Sequence, residues 1–135
     1  MKVDNQLIQY INLFEKITKS NVKDCFFVNE KLVFIVNEGH ISKAIGKNGV
    51  NIKKIANLTK KKLKVVEFSS KIEKFIKSLI APVKSSEIKV NENNVEISVG
   101  SRQDKGLLIG RDRSNLNFLK DILGKYFKIE DVKIL

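Results

Sequence analysis

The sequence predicts an α+β fold built twice in tandem, over residues 1–69 and 70–135. Each unit runs helix, strand, strand, helix, helix, strand, with a small mixed sheet and its helices packed on one face. Three observations predict it. Apolar spacing alternates between the period of a helix and that of a strand, in the same order twice. Gly46 and Gly110 stand 64 residues apart, and at that offset Ile45 pairs with Ile109, Lys47 with Arg111, Asn51 with Asn115, Ile52 with Leu116 and Ile55 with Leu119. The 135 residues, 42% hydrophobic, suffice for one ordinary domain or two very small ones, and the single proline leaves no composition for a long linker.

The elements follow in order. Residues 4–19 place Leu7, Ile8, Ile11, Phe14 and Ile17 at helical spacing, with Asp4 or Asn5 as the cap. The β-branched and aromatic runs 24–28 and 31–36, joined by Asn29-Glu30, predict a hairpin. A short segment, residues 40–45, leads into Gly46-Lys47-Asn48-Gly49. Residues 50–59 predict a helix with Val50, Ile52, Ile55 and Leu58 along one side, and residues 62–68 return to a strand with Leu63 and Val65 facing one way.

In the second unit, residues 71–81 form an amphipathic helix with Ile72, Phe75, Ile76 and Leu79 inward, and Pro82 follows its end. Residues 87–90 and 95–99 alternate as strands around a turn at 91–94. Residues 102–109 lead into Gly110-Arg111-Asp112-Arg113. A helix over 114–126 turns Leu116, Leu119, Ile122 and Leu123 inward, and residues 131–135 close as a strand.

Charge narrows the function. Twenty-six Lys and Arg against fifteen Asp and Glu give a net +11, split +7 and +4 at residue 70. Such a field concentrates polyanions and exceeds what solubility needs. Between Lys43 and Lys64 there are eight lysines and no acid, whereas a merely solvated face mixes signs.

One cysteine, Cys25, and one histidine, His40, supply neither a disulfide, nor a zinc site, nor a nucleophile–base pair. Cys25 reads as a small strand residue and His40 as a polar residue at a helix start. No nucleotide-binding P-loop pattern occurs. The expectation is a cytoplasmic protein that is not an enzyme, with no cofactor, no metal, no small-molecule substrate and no membrane span.

Gly46-Lys47-Asn48-Gly49 is placed to hold a phosphate. It opens a helix, whose first N–H groups lack internal partners and lie at the positive end of the dipole. Gly46 and Gly49 carry no Cβ, so a sugar-phosphate backbone can come close. Lys47 adds charge, and Asn48 tolerates turn geometry. Asn51, Lys53 and Lys54 follow on the helix as further contacts. Ala44, Ile45, Val50 and Ile52 would wall a groove for bases, although each reads first as core.

The Ile45-Gly46-Lys47-Asn48-Gly49 and Asn51-Ile52-Lys53-Lys54-Ile55 stretches resemble a KH domain, whose G-x-x-G loop clamps the backbone of about four nucleotides. The element order resembles the type II, prokaryotic form. Two such units filling nearly the whole chain resemble the archaeal NusA-like transcription factor family. The resemblance implies single-stranded RNA binding, with the nascent transcript as partner, in transcription elongation, termination or antitermination. RNA polymerase is implied less directly, because the polymerase-binding N-terminal region and S1 domain of bacterial NusA have no counterpart in these residues.

In the second unit Gly110, Arg111, Arg113 and Asn115 are the corresponding candidates. There the closing glycine is Arg113, and Asp112 repels phosphate, so a weaker and more charge-dependent site is expected. Two rival readings are a ribosome-associated or RNA-assembly KH protein and a helix-turn-helix-like DNA binder.

Overall fold

The structure is a computed structural model and describes residues 5–135. The chain divides into two compact units, the first ending at Ser70 and the second beginning at Lys71. The first contains α1 (Asn5–Thr18), β1 (Val22–Val28), β2 (Lys31–Val36), α2 (Ile41–Ile45), a 3-10 turn (Lys47–Gly49), α3 (Val50–Thr59) and β3 (Lys62–Glu67). The second contains α4 (Ile72–Ile80), β4 (Ser85–Asn91), β5 (Asn94–Val99), α5 (Arg102–Ile109), a 3-10 turn (Arg111–Arg113), α6 (Ser114–Phe127) and β6 (Asp131–Ile134). The helix cap expected at Asp4 lies outside the described residues, and Asn5 already stands within α1.

Each unit builds a three-stranded sheet, ordered β1-β2-β3 and β4-β5-β6. The hairpin pairs antiparallel, and the last strand then joins the hairpin's second strand in parallel. A parallel partner needs a crossover, and α2–α3 or α5–α6 supplies it. The sheets are therefore mixed, as the alternating strands and paired helices of the sequence imply.

In the first unit Leu32, Phe34 and Val36 of β2 gather with Phe14, Cys25, Ala44 and Ile55 into one core, against which Leu63 and Val65 of β3 also pack. The alternation of β2 and β3 thus turns one face of the sheet toward α1, α2 and α3. Phe14 stacks on Phe34 with ring centroids 4.1 Å apart, fixing α1 over the centre of the sheet. Ile8, read as part of the apolar face of α1, is instead 39% exposed.

In the second unit Leu116, Leu119, Ile122 and Leu123 of α6 are buried, as their spacing predicts. Phe75 of α4 meets both Tyr126 and Phe127 at the end of that helix.

Cys25 sits in the core as a free thiol. Burial, with the Asp24 carboxylate beside it, pushes its pKa up to about 12. The thiolate is the reactive species, so the folded protein should resist a disulfide reagent at pH 8 and react fully once unfolded in denaturant. The same shift fixes the sign of a pH effect. An unfolded thiol ionises near its ordinary value while the folded one stays protonated, so this group's share of stability is present below about pH 8.5 and declines as pH rises toward about 12. Equal thiol reactivity before and after unfolding would contradict the buried placement.

Candidate nucleic-acid interface

The candidate loop is built from the two helices it joins. α2 ends at Gly46, whose N–H donates to the Ser42 carbonyl at 2.9 Å. Gly46 then leaves the helix at φ 79°, ψ 169°, a conformation essentially restricted to glycine. Asn48 and Gly49 follow in the left-handed region, at φ 55° and φ 73°. The Gly49 N–H closes the turn on the Gly46 carbonyl at 3.1 Å. α3 starts at Val50 with no side-chain cap, so the positive end of its dipole faces the loop.

Asn51 has a role the sequence did not announce. Its Nδ2 donates to the Lys43 carbonyl at 2.9 Å, tying the first turn of α3 to the end of α2. The amide fills the space under Gly46, where an added Cβ would meet Asn51 Cγ and Nδ2 at 2.9 Å and Val50 Cγ1 at 3.0 Å. Gly46 is therefore required by the loop's own packing. At Gly49 an added Cβ would meet nothing within 4 Å, so the open approach inferred for both glycines belongs to Gly49.

The second unit repeats this construction bond for bond. Gly110 leaves α5 at φ 76°, ψ 171°, its N–H donating to the Gly106 carbonyl at 2.9 Å. Asp112 and Arg113 take the left-handed conformation at φ 54° and φ 62°. The Arg113 N–H donates to the Gly110 carbonyl at 3.1 Å, and Asn115 Nδ2 donates to the Leu107 carbonyl at 2.9 Å. The missing closing glycine thus leaves the backbone path unchanged. It places a side chain in a conformation that costs about 1 kcal/mol without glycine. Arg113→Gly should accordingly raise stability in urea by about 1 kcal/mol, and a loss of stability would show that the Arg113 side chain holds the loop.

Arg111 and Arg113 are exposed beside that loop, as are Lys47, Lys53 and Lys54 beside the first. Among the described residues, none of Lys43, Lys47, Lys53, Lys54, Lys60 and Lys62 makes an ion pair. These six lysines thus form an unneutralised surface within the acid-free run.

The four candidate groove residues separate. Ala44 is fully buried and Ile52 packs against the core, whereas Ile45 is 38% and Val50 55% exposed on either side of the loop. Val50 and Leu58, placed on the inner side of α3 from spacing, are corrected to exposed positions, and Ile55 alone of the four is fully buried. α1, α2 and β3 cover one side of α3 around Ile55, and Val50 and Leu58 at its two ends lie beyond that cover.

The two residues with catalytic chemistry are occupied structurally. His40 Nδ1 accepts from the Asn21 N–H at 3.0 Å just before α2, and Cys25 is buried. Among the described residues no three His, Cys, Asp or Glu side chains gather as a metal-binding group, and no helix is long and apolar enough to cross a membrane.

A family model described as the NusA-like second KH domain matches residues 11–71, nearly all of them in the first unit. The whole chain aligns at 33% identity with 80% of the probable transcription termination protein NusA of Methanococcus vannielii. It aligns at 29% identity with 75% of the protein of the same name from Methanocaldococcus jannaschii. A solved structure titled "Crystal structure of APE1850" superposes with a TM-score of 0.72 at 35% identity, covering 98% of this chain and 100% of that one. Two α+β units with the same strand order, the same loop geometry in each, and alignment along the full chain lead to one assignment: the chain belongs to the archaeal NusA-like family of tandem KH-domain proteins.

Proposed function

We propose that the chain binds single-stranded RNA, with the nascent transcript as its target, and acts through it in transcription elongation, termination or antitermination. The observation that carries this reading is the Gly46–Gly49 turn. It is a left-handed cradle at the uncapped start of α3, open at Gly49 and set among exposed lysines without acidic partners. A phosphate seated there would accept backbone N–H donors, and Lys47, Lys53 and Lys54 would neutralise its neighbours. Ile45 and Val50, exposed beside the loop, would offer apolar contact to bases.

The protein works by binding rather than catalysis in this reading. Its relatives' printed name, a probable transcription termination protein, supports the setting. RNA polymerase is a further candidate partner.

Gly110, Arg111, Arg113 and Asn115 would form the second, weaker site, since the same backbone path carries a repelling Asp112. Asn51 and Asn115 would act chiefly by holding the two loops in shape.

The test is affinity for single-stranded RNA against duplex DNA of equal length at two salt concentrations. Tighter RNA binding at both is the expected result. A preference for the duplex would favour a helix-turn-helix-like DNA binder, and co-sedimentation with ribosomal subunits through high salt would favour the ribosome-associated alternative.

A further inference from the structure

A second basic cluster lies at the far end of the first unit. Lys31 of β2 and Lys62 of β3 are direct partners in the parallel ladder, and Lys64 lies two residues along the same strand. All three alternate away from Leu32, Leu63 and Val65, which pack into the core under the helices, so they share the opposite sheet face, where Val33, Ile35 and Val66 are buried and Lys31 and Lys62 form the exposed end. Lys60 is exposed where α3 gives way to β3, whereas Lys61 holds its ammonium 5.9 Å from the Phe27 ring centroid, on the helix-bearing side. Like charges directly opposite in a ladder oppose folding. Lys31, Lys60 and Lys62 have no ion-pair partner among the described residues. Burial, and after it the neighbouring Lys31 charge, hold Lys64 below the usual lysine range, so Lys64 is enclosed at the border of the exposed cluster. The nearest acid in sequence is Glu30, in the hairpin turn.

This cluster is separate from the loop. α3 runs from Gly49 at one end to Lys60 at the other, about 15 Å for its ten residues. That exceeds the screening length of about 8 Å at physiological salt, so the charges at the two ends of the helix act on different phosphates.

We propose that Lys31, Lys60 and Lys62 form a second phosphate-contacting surface, which takes the backbone of single-stranded RNA as it runs on past the Gly46–Gly49 loop. The inference rests on the RNA-binding reading above. It adds that affinity depends on RNA length, because only an RNA longer than the loop's own footprint engages both centres.

The test uses the full chain with Lys31→Gln and Lys62→Gln together, on a 5-nucleotide and a 20-nucleotide single-stranded RNA across a salt series. Both side chains are exposed, and the substitutions remove a like-charge pair, so Tm should hold or rise. With the long RNA the affinity should fall about 10-fold, and the slope of log affinity against log salt should shrink by about 1.4, the value for two lost phosphate contacts. With the short RNA neither should change. Equal effects on both lengths, or none on either, would overturn the proposal, the latter leaving the surface to an acidic protein. A Lys47→Asp, Asn48→Asp variant run alongside separates the two claims: if it binds both RNAs like the wild type, the loop reading has failed, whatever the lysine pair does.

Discussion

Replacing Lys47 and Asn48 together by aspartate is expected to lower affinity for single-stranded RNA by about 100-fold while leaving the fold intact. The structure supplies its own control for folding. Position 48 takes φ 55°, ψ 28°, and its counterpart Asp112 takes φ 54°, ψ 31°, so an aspartate already occupies this conformation elsewhere in the chain. Lys47 and Asn48 are exposed and outside the core. Negative charge at the start of α3 also complements its dipole, so stability should not fall. Binding should fall, because two carboxylates would stand where the phosphate is to sit and one cation is lost. Circular dichroism and thermal melting establish the fold, and fluorescence anisotropy reads the affinity. Undiminished binding by a folded variant would move the function away from this loop.

Gly46→Ala is expected to destabilise the first unit by about 3 kcal/mol, more than any other substitution within the loop. Two causes add. The φ 79°, ψ 169° conformation is strained for any residue with a Cβ, by about 1–3 kcal/mol. The new methyl would also lie 2.9 Å from the Asn51 amide, expelling it from its 2.9 Å bond to the Lys43 carbonyl, worth about 1 kcal/mol. Gly49→Ala is the matched comparison. Its Cβ enters open space, so only the left-handed conformation at φ 73° opposes it, by about 1 kcal/mol. Urea unfolding should rank Gly46→Ala well below Gly49→Ala in stability. RNA binding by the folded fraction should suffer more from Gly49→Ala, whose methyl occupies the open side of the turn. Equal stability losses would mean that the Asn51 contact carries no weight.

These two glycines show how unevenly the site is legible in the sequence. Both stand out there, and close approach of a sugar-phosphate backbone explains either one equally well. The structure assigns Gly46 to internal packing and leaves the open side to Gly49. Asn51 and Asn115 match across the repeat and read, from sequence, as RNA contacts. Their presence in both units has another cause, since both amides bond back to the end of the preceding helix. The available signal is a polar identity shared at the start of two helices whose apolar positions differ between the units, as Ile52 and Ile55 do from Leu116 and Leu119.

The sequence by itself determined the order of elements, the tandem repeat, the positions of the two loops and the acid-free lysine run. Each of these is local: periodicity, turn residues and charge are written in neighbouring positions. Only the tertiary structure decided which stripe of α3 is covered, leaving Val50 and Leu58 exposed while Ile55 is enclosed. Only it brought Lys31 opposite Lys62, residues of two strands joined in parallel by a crossover. The physical reason is the same in both cases. A helical or strand period fixes which side chains share a face, but burial and cross-strand proximity depend on what else the chain folds against that face.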